Sequence, residues 1–311
     1  MIKLKDKKIL LTGGSGFIGK HIINNLVQKR NVPRENIFVP TIKEYDLREL
    51  KNCQKVVGNQ DIVIHLAAVT GNIELHRLHP GRIFYDNIIM GIQLVEAARI
   101  AGIEKFIGIG SVTAYPEKAT SPFKEEQFWD GYPAKIHAPY GFAKKMLLVQ
   151  GQAYREEYGF NVIHLLLTSV YGPGTNPQSG YVISSIIEKI QKAKKEGRNF
   201  IEVWGTGKPI RDFLYVEDAA EGIILATEKY DRLEPMNIGS GIEISTKNLI
   251  NLICELMDFK GEIRWDATKP DGQLKRMIDV SKAKNELGFT ASTSLEVGLK
   301  KTIEWHLKNL K

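Results

Sequence analysis

Tyr140 and Lys144 stand four residues apart in Pro139-Tyr140-Gly141-Phe142-Ala143-Lys144, at the start of a helical pattern that runs to about Tyr158. Residues at that spacing share a helix face, so a phenol lies beside an ammonium. A free tyrosine titrates near ~10, and a cation within about 4–6 Å lowers that value. Such a pair can act as a general acid or base near neutrality, a role worth roughly 10²–10⁴-fold in rate. The spacing also arises in amphipathic helices that do no chemistry, so its meaning depends on what surrounds it. A second feature lies upstream: Gly13-Gly14-Ser15-Gly16-Phe17-Ile18-Gly19 follows the apolar run 8–12 and precedes a helical pattern to Arg30. Strand, glycine-rich turn and helix together are the context of a dinucleotide site. Gly13 allows the tight turn, Gly16 lets backbone approach a pyrophosphate, Gly19 lets helix and strand pack, and the helix N-terminus offers N–H groups to phosphate. The spacing is G-x-x-G-x-x-G rather than G-x-G-x-x-G.

The elements that must position these groups alternate. Strands are expected at 36–39, 61–65, 105–109 and 162–167, and helices at 47–57, 83–101 and from Tyr140 onward. Continuous apolar strands separated by helices predict an α/β fold, a doubly wound parallel sheet covered on both faces. Ligands in such sheets sit beyond the carboxyl ends of the strands, where 13–19, Ala67, Ser111 and Ser169 all fall. Beyond Ser169 come a turn-rich loop (171–177), a basic helix at 182–195, the run Val203-Trp204-Gly205-Thr206-Gly207, and helices at 216–229 and 246–257. A strand at 236–239, a polar loop at 266–279 and two closing helical segments complete the chain. The expected division is a dinucleotide-binding domain at 1–168 and 213–235, and a smaller, partly discontinuous α/β substrate domain at 169–212 and 236–311.

The net charge of +7 over 311 residues points to an anionic partner. Lysines are scattered rather than blocked, which favours a phosphate-bearing small molecule over nucleic acid. Cys53 and Cys254 read as buried thiols of a reducing compartment. No apolar run spans a bilayer and the basic N-terminus lacks a signal-peptide core, so a cytoplasmic protein without membrane partners is expected. Glu74, His76 and His79 do not follow a metal-ligand spacing and read as a solvated loop, so no metal is expected. His164 reads as a satisfied core histidine.

Gly13-x-x-Gly16-x-x-Gly19, His65-Leu66-Ala67-Ala68, Asn87-x-x-x-Gly91, Ser111, Tyr140-x-x-x-Lys144, Tyr171-Gly172-Pro173 and 211–218 (Arg-Asp-Phe-Leu-Tyr-Val-Glu-Asp) resemble the extended short-chain dehydrogenase/reductase (NAD-dependent epimerase/dehydratase) family over essentially the whole chain. The resemblance implies a Rossmann-like fold, a nicotinamide cofactor, a nucleotide-diphosphate-sugar substrate and a homodimer formed through two long helices. Within the family, Val203–Trp204 and the glycines after them, 266–272 and Ala138-Pro139-Tyr140 are most similar to the GDP-L-fucose synthases, which implies a GDP-linked sugar. By that resemblance Gly13, Gly16, Phe17, Ile18, Gly19, Leu66, Ala67 and Ala68 hold the dinucleotide. Ser111 and Tyr140 contact the sugar C4 oxygen, and Lys144 binds the nicotinamide ribose and lowers the Tyr140 pKa. Trp204, Arg211 and Arg276 hold the guanine nucleotide and its diphosphate, with Ser169, Val182 and Lys189 nearby.

Two positions depart from the pattern. The cysteine and histidine with which fucose synthases epimerise C3 and C5 correspond to Thr113 and Tyr181. A threonine hydroxyl is too weak a base for a carbon-bound proton, and tyrosine does not titrate near neutrality. The resemblance therefore implies reduction at C4 without 3,5-epimerisation, with a 4-epimerase that retains NAD as the alternative. A 4,6-dehydratase would need an Asp-Glu pair at Val112 and Thr113. Lys43, after the second strand, is placed to pair with a 2′-phosphate and favours NADP(H). Ser15 and Ile42 stand where arginines occur in the family, so NAD(H) stays open.

Overall fold

The computed structural model describes residues 1–176, 180–269 and 271–309; Pro177 of the turn-rich loop and Pro270 of the 266–272 stretch lie outside them. The first half runs β1 (Ile9–Thr12), α1 (Phe17–Arg30), β2 (Ile37–Phe38), α2 (Leu50–Val57), β3 (Ile62–His65), α3 (Ile73–Leu78), α4 (Pro80–Ile100), β4 (Lys105–Ser111), α5 (Ala138–Tyr158) and β5 (Val162–Leu167). The second runs β6 (Ser169–Tyr171), α6 (Val182–Lys195), β7 (Phe200–Trp204), β8 (Ile210–Tyr215), α7 (Val216–Lys229), β9 (Met236–Ile238), β10 (Glu243–Ser245), α8 (Thr246–Leu256), β11 (Glu262–Asp266), β12 (Lys275–Arg276), α9 (Ser281–Leu287) and α10 (Leu295–Asn309).

Six parallel strands in the order β2-β1-β3-β4-β5-β9 form the main sheet. Alternate residues feed opposite cores. Ile9, Leu11, Ile62, Ile64, Ile107 and Leu165 pack with α1 and α7, while Leu10, Val63, Phe106 and Val162 pack with α2, α4 and α5. Both faces are dry, which is why these strands read as unbroken apolar runs. The order reverses between β1 and β3, the place where a crevice opens at the carboxyl edge of such a sheet.

The glycine-rich turn sits at that edge. Gly13 adopts φ +70°, a region that favours glycine, and a Cβ on Gly19 would stand 2.4 Å from the Gly14 Cα, so only glycine lets α1 start this close to the turn. On the opposite face a Cβ on Gly91 would meet Leu147 at 2.4 Å, which sets the close approach of α4 and α5. Asn87 of α4 pins the loop after β3: its Nδ2 donates to the carbonyls of Val69 (2.8 Å) and Ile83 (2.7 Å), and its Oδ1 accepts from Val69 N–H (3.0 Å).

The smaller part is built from β10, β8 and β12 with β6 on β8, and from the parallel pair β11 and β7. Helices α6, α8 and α10 enclose its core around Ile187, Ile190, Ile250, Ile253 and Leu299. Strand β9 hydrogen-bonds β5 in the main sheet although 236–311 was expected in the smaller part; Met236 and Ile238 are fully buried there and complete the sheet. Glu74 and His76, expected with His79 on a solvated loop, lie on the helix α3, with Asn72 accepting from Leu75 N–H as its cap. Among the described residues no helix is long and apolar enough to cross a membrane.

Candidate active site

A cavity of about 1110 Å³ lies between the carboxyl edge of the main sheet and the smaller part. That is the upper end for a ligand pocket, and it suits an elongated ligand or two ligands meeting end to end. At one end it is lined by the 13–19 turn, Pro40, Ile42, Tyr45 and 66–68; at the other by Trp204, Arg211, Asp271 and Arg276. Ser111, Thr113, Tyr140, Lys144, Ser169, Tyr181 and Val182 lie between. Nearly all residues expected at the site thus converge on one space, from nine separate segments of the chain.

Two do not. Lys43 is exposed and lies off the wall, where Ile42 takes its place. The chain turns here, with Glu44 and Tyr45 N–H both donating to the Thr41 carbonyl, and the turn leaves the lysine in water. Lys189 also lies off the wall; its Nζ donates to the Glu202 carbonyl at 2.8 Å and so ties α6 to β7.

The helix α5 carries Tyr140 and Lys144 into the cavity from its first turns, with Pro139 near the N-terminus where its missing N–H costs nothing. Lys144 Nζ lies 5.7 Å from the Tyr140 ring centroid. The ammonium does not lower the phenol as expected. Burial dominates both groups, pushing the Tyr140 phenol up and Lys144 down to about 8, because each loses its hydration in a wall of apolar and backbone atoms. Tyr140 therefore keeps its proton through the neutral range and stands ready as an acid. Beneath Lys144, His65, Gly108 and His164 form one row across β3, β4 and β5. His164 is in the core as expected but is not satisfied: neither ring nitrogen has a hydrogen-bond partner among the described residues. Burial, with the nearby Lys144 charge, pushes it down to about 3, so it stays neutral.

A lysine whose value is lowered is charged below that value and neutral above it. Activity that uses the Lys144 charge is therefore expected to fall as pH rises through about 8, with Tyr140 still protonated. A pH profile of kcat/KM checks this; a plateau to pH 10 would contradict it.

Ser111 Oγ lies 3.0 Å from Thr113 Oγ1 and accepts from Thr113 N–H at 3.3 Å. Both hydroxyls sit where β4 ends. Tyr181, 46% exposed, caps α6. Thr70 lines the cavity with the two phenols, Tyr140 and Tyr181, and its side chain partly opposes the rise that burial imposes on each.

Opposite, Arg211 of β8 and Arg276 of β12 are register partners on adjacent parallel strands, which puts their side chains side by side on one face. Arg276 Nε is buried without a hydrogen-bond partner among the described residues. Burial and the neighbouring guanidinium push Arg276 down to about 9. Arg211 is also lowered by burial, which Asp271 partly opposes. Two adjacent part-buried cations call for an anion, and a diphosphate offers bidentate acceptors to both. Trp204, 68% exposed, stands at the rim with Lys269 Nζ 5.5 Å from its ring centroid.

The sequence overlooked His76 and His137. His76 is not on a solvated loop: it is 5% exposed, on α3, and its ring stands edge-on to His137 (centroids 5.1 Å, 81°) and to Tyr140 (5.8 Å, 89°). Both line the cavity. The signal that could have found them was position: His137 three residues before Tyr140, and His76 in the segment that follows the β3 carboxyl end.

Fold and site together define an oxidoreductase of the extended short-chain dehydrogenase/reductase class, which uses a nicotinamide dinucleotide on nucleotide sugars. The NAD dependent epimerase/dehydratase family model matches residues 9–239, and the chain belongs to that family. It is 32% identical over 310 residues to GDP-L-fucose synthase 1 of Arabidopsis thaliana, covering 98% of this chain and 95% of that one. It superimposes on a GDP-L-fucose synthetase from Naegleria fowleri with a TM-score of 0.88 at 28% identity, covering 98% and 94% of the two chains. On a GDP-mannoheptose C4 reductase from Campylobacter jejuni, solved with NADP bound, the TM-score is 0.87 at 26% identity, covering 97% and 99%.

Proposed function

We propose that this protein reduces the C4 carbonyl of a GDP-linked 4-keto-sugar, with Tyr140 giving the proton and a bound NADPH the hydride. The carrying observation is that the half-buried Tyr140, its phenol pushed up by desolvation, shares one cavity with the paired guanidiniums of Arg211 and Arg276. The diphosphate binds the two arginines, Trp204 stacks on the base at the rim, and the sugar reaches back to Ser111 and Tyr140. Likeness to the GDP-L-fucose synthases and to a GDP-mannoheptose C4 reductase supports both the base and the reaction.

The dinucleotide fits the residues present. Gly16, the cap of α1, lines the cavity with no side chain to fill it, and the first turn of α1 carries no acidic residue to repel phosphate. The main-sheet part, expected at 1–168 and 213–235, holds the dinucleotide, and the smaller part holds the nucleotide sugar. As hydride reaches C4, the Tyr140 hydroxyl gives its proton to the C4 oxygen and Ser111 donates a hydrogen bond to that oxygen. Lys144, charged below about 8, steadies the phenolate left behind.

Thr113 and Tyr181 supply no base for C3 or C5. The Thr113 hydroxyl is engaged by Ser111, and burial pushes the Tyr181 phenol up. With NADPH and a GDP-4-keto-sugar, one NADPH is expected to be consumed per 4-hydroxy product, and in D2O no deuterium should enter C3 or C5 above the uncatalysed rate. Deuterium at either carbon would refute the loss of epimerisation.

One observation favours a second reading, a C4 epimerase that retains NAD. Among the described residues the wall beside Ser15, Pro40 and Ile42 carries no cation for a 2′-phosphate, since Lys43 is exposed and off that wall. Purified protein carrying tight NAD, and interconverting C4 epimers without net redox change, would establish it over the reductase.

A further inference from the structure

The imidazoles of His76 and His137 have no task in the reaction as described, yet they occupy the wall between its two fixed ends. His76 touches Tyr140 edge-on. His137, in ring contact with His76, feels the charges of Arg276 and Arg211. A ligand with its diphosphate on the arginines and its C4 at Tyr140 must carry its sugar past this pair. Each ring has a buried Nδ1 with no hydrogen-bond partner among the described residues. An atom closed to solvent cannot meet a ligand, so recognition falls to the other ring nitrogen, Nε2, which is not among the buried unpaired atoms of either ring.

Protonation state narrows the role. Burial lowers both imidazoles, His137 to about 4 with help from the two arginines. An imidazole whose proton affinity is lowered in this way is a weak base for a carbon-bound proton. Neutral imidazoles are good hydrogen-bonding partners for hydroxyls, since one ring nitrogen donates and the other accepts.

We infer that His137, braced by His76, is a specificity-determining pair that hydrogen-bonds a ring hydroxyl of the substrate's sugar next to the reacting carbon. This rests on the nucleotide-sugar reading above and adds to it the element that ranks one sugar against another. A site built to hydrogen-bond a hydroxyl discriminates strongly against analogues lacking it, because its own polar atoms are then stranded.

The test separates the sugar from the nucleotide. Calorimetric titration of the full chain with GDP and with GDP-mannose gives the affinity increment due to the sugar. His137→Phe and His76→Phe are expected to bind GDP as the wild type does and to lose about ten- to hundredfold of that increment. His137→Asn, which keeps a donor and an acceptor, should restore part of it. A second arm leaves the protein unaltered: singly deoxygenated GDP-mannose analogues should include one that loses the same factor on the wild type and nothing further on His137→Phe. If the phenylalanine variants keep the full increment, or every deoxygenation costs the same with and without His137, the pair has no part in sugar recognition and the inference falls. If GDP itself fails to bind the wild type, the nucleotide-sugar reading falls instead.

Discussion

Tyr140→Phe is expected to lower kcat by about 10²–10⁴-fold, the range for loss of a positioned general acid, with the affinities for GDP and for the dinucleotide within about twofold of wild type. The proposed reduction would leave charge on the C4 oxygen, and in that reading the Tyr140 hydroxyl is the protonated group that quenches it. Ser111 is engaged by Thr113, and Lys144 loses its own charge through about pH 8. Phenylalanine keeps the ring and its edge contact with His76 while removing only the hydroxyl, so the helix and the cavity should persist. Steady-state kinetics with a GDP-4-keto-sugar, together with GDP titration, check both halves of the expectation. Turnover of Tyr140→Phe within a factor of two of wild type would remove Tyr140 from the chemistry.

Arg276→Met should do two opposite things. It should weaken GDP binding by about 10²–10³-fold, since a bidentate, charge-assisted contact contributes roughly 3–4 kcal/mol. It should also raise the melting temperature of the unliganded protein by a few degrees. A part-buried guanidinium beside Arg211, with its Nε unpaired, is held at a cost that methionine of similar volume does not carry. Stability given up for a binding site is a common trade. Calorimetric titration and a thermal melt without ligand measure the two effects. A variant that binds GDP as the wild type does, or that melts lower without ligand, would show that Arg276 supports the fold rather than the anion. The double variant with Arg211→Met should lose less than the sum of the single losses, because the two side chains share one ligand across a single register pair.

The local features were written plainly in the chain. The apolar runs of β1, β3, β4 and β5, the glycines that let α1 start against the turn, and the Tyr140–Lys144 spacing all act over a few residues. Turn geometry, period and side-chain direction follow from local sterics, so they can be read without knowing what lies opposite. The place of β9 could not be read so, because a three-residue strand carries too little pattern to say which sheet it joins. Its neighbour β5 decides that.

Charge and surroundings lay beyond the sequence as well. Lys144 was expected to lower Tyr140, and that would hold for two groups near water; inside the wall, desolvation outweighs a cation 5.7 Å from the ring centroid. Lys43 and Lys189 had suitable types at suitable places, yet one faces solvent and the other is held by a carbonyl of β7. His76 and His137 lie 61 positions apart and meet only because α3 folds back against the start of α5. The sequence by itself determined the family, the doubly wound sheet, the glycine-rich turn and the Tyr140–Lys144 pair proposed to serve the reaction, each carried by residues that are neighbours in the chain. Tertiary structure alone decided which charges survive in the cavity, that two arginines from β8 and β12 stand side by side, and which side chains line the passage between them and Tyr140. Burial and long-range contact set those properties, and neither is encoded in local spacing.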